Sequence, residues 1–195
     1  MIPLLALSGL LGICSAVSSE TKFTHPGVFV SRERLSLMES GVSLGEEPWL
    51  EAFNQMMRHK YMTRTTPPAP FETVECGYRS IPNVGCTEER EDSLAAYTNA
   101  LAWVVTKDPS KAERAIGYMN AWAGTIKTHT NDNAPLQAAW SAANWVRAAE
   151  IIRYTDSGWR GEDVGAFEYM LRAVYLPRVV GGYKTPNNWE LSKLG

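Results

Sequence analysis

The chain has 195 residues, 45% of them hydrophobic, and carries a formal net charge of −2 with a pI near 6.0. That is enough apolar material for one buried core and excludes a disordered chain, while the scattered Lys and Arg residues give no field that would gather nucleic acid or an anionic membrane. Seven tryptophans and eight tyrosines stand out, and flat amphipathic rings suit carbohydrate faces as well as helix interfaces.

The apolar run from Ile2 to Val17, followed by small residues, reads as a secretory signal over residues 1–18 with cleavage between Ala16 and Ser19. Pro3, Gly9, Gly12 and the serines argue against a membrane anchor. Residues 24–195 are then expected to form one domain. Ser31 caps a helix to about Ser40, and Pro48 opens a second that groups Trp49, Phe53, Met56 and Met57 before a Pro-rich linker, TRTTPPAPF. With Cys14 lost in the signal, Cys76 and Cys86 remain in the turn-rich stretch ECGYRSIPNVGC. A disulfide between them is the natural inference for an exported chain, worth about 3 kcal/mol in the chain-entropy model. A metal site is the alternative, but the loop has no histidine and His25, His59 and His129 are far apart in sequence.

Thr87 is expected to cap a long helix through EEREDSLAAYTNALAWVV, whose early carboxylates complement the helix dipole. Asp108-Pro109 starts the next, with Ile116, Met119 and Trp122 inward, and a polar loop, KTHTNDNAP, leads on. The following helix, Pro135 to about Tyr154, is apolar or small around most of its circumference, as an interior helix is. Its polar line of Gln137, Ser141 and Asn144, flanked by Trp140 and Arg147, lacks the Lys and Glu of a solvent face, so it reads either as the wall of a polar cleft or as amides bridging two helices. After DSGWRGED a last amphipathic helix turns Phe167, Met170, Leu171, Val174 and Tyr175 inward, and Pro177 with Gly181-Gly182 ends it. TPNNWELS then begins another helix close to Gly195, as in a fragment of a longer protein. No strand alternation is visible, so the expected class is all-α with consecutive antiparallel helices.

HPGVFVSRERL, EDSLAAYTNALAWVVTKDPSKAERAIGYMNAWAGTIK, NAPLQAAWSAANWVRAAEIIRYTDSGW and NNWELS together resemble the alginate lyase family of secreted polysaccharide lyases, most strongly from Asp92 to Ser192. The resemblance implies an α/α toroid, here incomplete, in which helical hairpins ring a deep groove. It also implies cleavage of a uronate polymer by β-elimination. There an Asn or Arg stabilises the enolate that forms when the C5 proton leaves, a His or Tyr takes that proton, and a Tyr can protonate the departing oxygen. Asn188 matches the family's carboxylate-neutralising asparagine, with Asn187 beside it. Trp189 stands where the family has histidine, and an indole cannot accept a proton. The family's downstream Arg and Tyr have no counterpart before Gly195.

On spacing alone Asn187 and Asn188 are equally a turn and helix cap after Thr185-Pro186. Arg147 and Tyr97 are candidate substrate contacts beside Trp189, Trp140, Asn144 and Gln137, although Arg147 could instead bridge to Glu150. Three readings follow. One is a lyase acting on an acidic polysaccharide or oligosaccharide. Another is a glycoside hydrolase on the same toroid, for which Asp92, Glu150 and Glu190 are the available carboxylates. The third is a secreted carbohydrate-binding protein without catalysis, which Asn188-Trp189 favours. No cofactor or metal, no nucleic acid or membrane partner and a monomer are expected.

Overall fold

The computed structural model describes residues 23–181; the signal-like stretch, Asn187, Asn188, Trp189 and Glu190 lie outside the described residues. Helices dominate: α1 Arg32–Ser43, α2 Trp49–Arg58, α3 Lys60–Thr63, α4 Cys86–Thr106, α5 Pro109–Ala123, α6 Ala134–Arg153, α7 Gly161–Met170 and α8 Leu176–Gly181. The Ser31 side chain accepts from Arg34 N–H at the start of α1, and Asp108 accepts from Ser110 N–H at 3.0 Å before the first-turn proline of α5.

The two longest helices, α4 and α6, pack on each other, and α5 packs on α4. Alanines make the close approach possible: Ala95, Ala96, Ala100, Ala138 and Ala148 are all completely buried. Larger rings fill the remaining space. Trp122 of α5 lies 6.3 Å from Trp145 of α6, Trp145 lies 6.4 Å from Phe167 of α7, and Trp159 closes on Phe167 at 5.4 Å, all at tilted or edge-to-face angles that suit aromatic quadrupoles.

The all-α expectation needs one correction. A small sheet of β1 Thr73–Cys76, β2 Asn83–Val84 and β3 Thr128–Thr130 runs in the order β2-β1-β3, with β1 antiparallel to β2 and parallel to β3. Strands of two to four residues are too short to show alternation. β3 lies in the stretch read as a polar loop, and its middle residue, His129, pairs with Val74 in register and is fully buried.

Three boundaries also differ. Thr87 is not the cap of α4; the helix starts at Cys86 after Gly85, whose φ of 74° is the left-handed turn that lets β2 run directly into it. Thr87 Oγ1 instead accepts from Asn83 Nδ2 at 2.9 Å. Pro177 does not end the last helix. The backbone widens to a π turn over Leu171–Tyr175 and then resumes as α8 through the proline. A proline offers no N–H and crowds the preceding turn, and such helix irregularities are where that conflict is absorbed. Third, the helix opened at Pro48 does not run unbroken to the Pro-rich linker: extended backbone at His59 separates α2 from α3. The linker itself runs over the surface as expected and is tied down, with Ala69 N–H donating to Asp92 Oδ2 at 2.8 Å and Tyr118 OH lying 3.4 Å from the Thr66 carbonyl.

Cys76 and Cys86 form the expected disulfide, joining β1 to the first residue of α4. Replacing both by serine is expected to lower the unfolding free energy by about 3 kcal/mol, seen as a fall in the urea midpoint. The described helices include none long and apolar enough to cross a membrane.

Candidate functional site

The first turn of α4 carries a carboxylate into the core. Glu89 is fully buried, and Glu89 Oε1 lies 2.7 Å from His129 Nε2 of β3 and accepts from Tyr175 OH at 2.6 Å. Glu89 Oε2 accepts from Gln137 Nε2 of α6, also at 2.6 Å. Buried carboxylates persist only when their lone pairs are occupied in this way. Tyr175 is held in turn by Trp145 Nε1–H at 3.1 Å and by an edge-on contact with the His129 ring at 4.8 Å. Burial, reinforced by the Glu89 charge, pushes the Tyr175 phenol well above its usual range, so it stays protonated and donates. The other ring nitrogen of His129, Nδ1, is buried without a hydrogen bond among the described residues.

This hub fixes the orientation of a second group. Gln137 Nε2 also donates to the Cys86 carbonyl at 2.9 Å, so the amide oxygen faces the other way and accepts from Arg90 Nη1 at 3.1 Å. Arg90 Nη2 reaches Thr87 Oγ1 at 3.5 Å. Both acceptors are neutral, and Arg90 has no carboxylate within salt-bridge distance among the described residues.

From Arg90 a polar seam follows the α4–α6 contact. Asn144 Nδ2 of α6 lies 3.2 Å from Ser93 Oγ of α4, and Ser93 Oγ–H donates to the Arg90 carbonyl. One turn further, the Arg147 charge is felt at Tyr97: burial raises the Tyr97 phenol above its ordinary value, against a smaller opposing pull from Arg147. Arg147 also sits over the Phe29 ring at 5.6 Å, and its Nε is buried without a hydrogen-bond partner among the described residues. Trp140, one turn before Asn144, is 50% exposed.

The candidates on α4 and α6 are therefore brought into one seam, but in different states. Arg147, Asn144 and Tyr97 are partly buried along it and Trp140 stands out from it. Gln137 and Ser141 are sealed, at 2% and 0% exposure, and Gln137 has the helix-bridging role. The carboxylates considered for hydrolysis are engaged elsewhere. Asp92 is fully buried on the α5 side of α4, accepts from Ala69 N–H and Trp122 Nε1–H at 2.8 Å each, and pairs with Arg64 Nη1 at 3.0 Å, close as an ion pair but angled away from hydrogen-bond alignment. Glu150 Oε2 accepts from Gly27 N–H at 2.6 Å and lies 2.8 Å from His25 Nδ1.

Sequence reasoning missed Glu89, Arg90, His129 and Tyr175 as a connected set. Glu89 looked like a first-turn charge complementing the dipole, and His129 like a lone polar residue in a loop. The available signal was a run of five acidic and basic residues, EERED, opening a helix otherwise rich in alanine.

The alginate lyase family model matches residues 83–180, just over half of the chain, spanning β2 to α8 and including the seam and its buried hub. The chain is thus one of the polysaccharide lyases by family. It belongs to the alginate lyase family. No curated protein and no solved structure matches it.

Proposed function

We propose that this chain is an exported lyase that cleaves an acidic, uronate-containing polysaccharide such as alginate by β-elimination. The observation that carries the reading is the pair of arginines, Arg90 and Arg147, along one helix seam with no acidic partner among the described residues. Cations held by neutral acceptors and rings are ready for carboxylates of a ligand. Arg90 contacts Gln137, and Gln137 and Arg147 lie ten residues apart on α6, about 15 Å at 1.5 Å per residue, a span suited to a polymer. Trp140 and Tyr97 supply a ring face and a neutral hydroxyl donor for sugar between them.

In this reading Asn188, helped by Asn187, neutralises the uronate carboxylate so that the C5 proton becomes removable and the C4 oxygen leaves. Trp189 stacks on sugar and transfers no proton, so the base and acid are other residues. Hydrolysis by Asp92 and Glu150 is disfavoured because each carboxylate is already bound to protein donors. A second reading, a carbohydrate-binding relative without catalysis, draws on Trp189 in the histidine position. Export is supported by the disulfide, which persists in oxidising compartments, and by the leader-like first 18 residues.

The test is incubation with alginate, other polyuronates and neutral glycans. Absorbance growing from a C4=C5 double bond is the expected result; reducing ends without it would indicate hydrolysis, and binding without either would indicate the second reading. Arg90→Ala should weaken polyuronate binding about ten- to hundredfold, as loss of charge-assisted hydrogen bonds worth about 1.5–3 kcal/mol, measured by calorimetric titration.

A further inference from the structure

The short segment before α1 crosses the C-terminal half of α6 and is bound to it through one carboxylate. Glu150 Oε2 takes both the Gly27 N–H at 2.6 Å and His25 Nδ1 at 2.8 Å, and the His25 ring stacks on Tyr154 at 4.2 Å with the planes 8° apart. Val28 and Phe29 then adopt left-handed backbone, at φ 53° and 68°, where neither a β-branched nor a bulky residue sits without cost. That turn brings the Phe29 ring over the Arg147 guanidinium.

Arg147 and Glu150 are three residues apart on one helix, a spacing at which opposite charges ordinarily meet. Here they do not. Glu150 is turned onto the strap, Arg153 on its other side pairs with Glu168, and Arg147 has no carboxylate within 4.0 Å among the described residues. We propose that the His25–Phe29 strap acts as a positioning device that withholds Glu150 from Arg147, keeping that arginine free to receive a carboxylate of an anionic polymer. The inference rests on the polyuronate-binding reading above and adds why Arg147 is available. His25, Gly27 and Glu150 touch no substrate; they act through Arg147.

Two substitutions separate this from a merely structural strap. His25→Ala removes one holder of Glu150 but leaves its charge, so Glu150 can swing towards Arg147. Glu150→Ala breaks the same attachment but removes the charge. Titrated calorimetrically with alginate oligosaccharides of defined length, His25→Ala is expected to raise Kd about tenfold, whereas Glu150→Ala and the double variant stay within about twofold of the parent chain. In an Arg147→Ala background, His25→Ala should have no further effect. If Glu150→Ala weakens binding as much as His25→Ala does, the strap only supports the fold and the proposal falls. An unchanged Kd in His25→Ala overturns it too. Should either variant melt below the assay temperature, Glu150→Gln, which keeps an acceptor for Gly27 N–H, must bind like the parent chain; weaker binding rejects the idea. A parent chain that binds no polyuronate removes the functional reading itself, whereas binding that ignores Arg147→Ala removes only this inference.

Discussion

Replacing Glu89 by alanine is expected to lower the unfolding free energy by about 3–5 kcal/mol, a large share of the stability of a domain this size, measured by urea denaturation. The size follows from what is left behind. His129 Nε2, Tyr175 OH and Gln137 Nε2 all reach this one carboxylate, so truncation leaves His129 Nε2 and Tyr175 OH without their acceptor in a dry interior and takes one of its acceptors from Gln137 Nε2. Tyr175→Phe removes one donor and leaves Trp145 N–H without its acceptor, which should cost about 1–3 kcal/mol. If Glu89→Ala costs no more than Tyr175→Phe, Glu89 is not the hub. The alanine variant should also lose some polyuronate affinity at temperatures where it remains folded, because Gln137, left with the Cys86 carbonyl, loses one of the acceptors that hold its amide oxygen towards Arg90.

Asp92→Ala is the second large effect, again about 3–5 kcal/mol, since it leaves Arg64 half-buried beside an apolar gap and frees the N–H groups of Ala69 and Trp122. Its signature differs in place: the proline-rich stretch at 64–70 should become sensitive to limited proteolysis, whereas Glu89→Ala should leave it protected. The pH dependence has a definite sign. Burial raises the Asp92 carboxyl above its usual value, with the Ala69 and Trp122 hydrogen bonds and the Arg64 charge acting against it. A carboxyl that holds its proton more tightly folded than unfolded stabilises most below the ordinary value of 3.8 and contributes less as pH rises through the folded value. The stability of the parent chain minus that of Asp92→Asn should therefore fall on raising the pH through that interval and be flat above it. A signed difference that rises with pH contradicts the assigned direction.

The helices were legible because their signals are local. Ser31 and Asp108 cap where short side chains before apolar periodicity should cap, and α6 has the all-round apolar character of an interior helix. The sheet was not, since β3 contributes one inward residue and owes its existence to pairing with a strand more than fifty positions earlier. The buried hub was hidden for the same reason. Glu89 meets partners 40, 48 and 86 residues away, and nothing within its own turn distinguishes it from Glu88 or Glu91, which lie nearer solvent. Arg147 was readable as a possible groove residue or as a helix ion pair, and only the position of a segment 120 residues upstream, around His25 and Gly27, separates the two.

The π turn before Pro177 has a consequence for insertions and deletions. A wide turn amounts to one extra residue in an otherwise α-helical path, and one residue is worth about 100° of rotation at 3.6 residues per turn. Deleting a single residue between Leu171 and Ala173 would therefore restore regular geometry and leave Tyr175 and α8 close to their present phase, with Tyr175 still turned towards Glu89. The slack runs one way: a residue added to this already wide turn would rotate Tyr175 away from Glu89 by about 100°, undoing the hub with every one of its side chains intact.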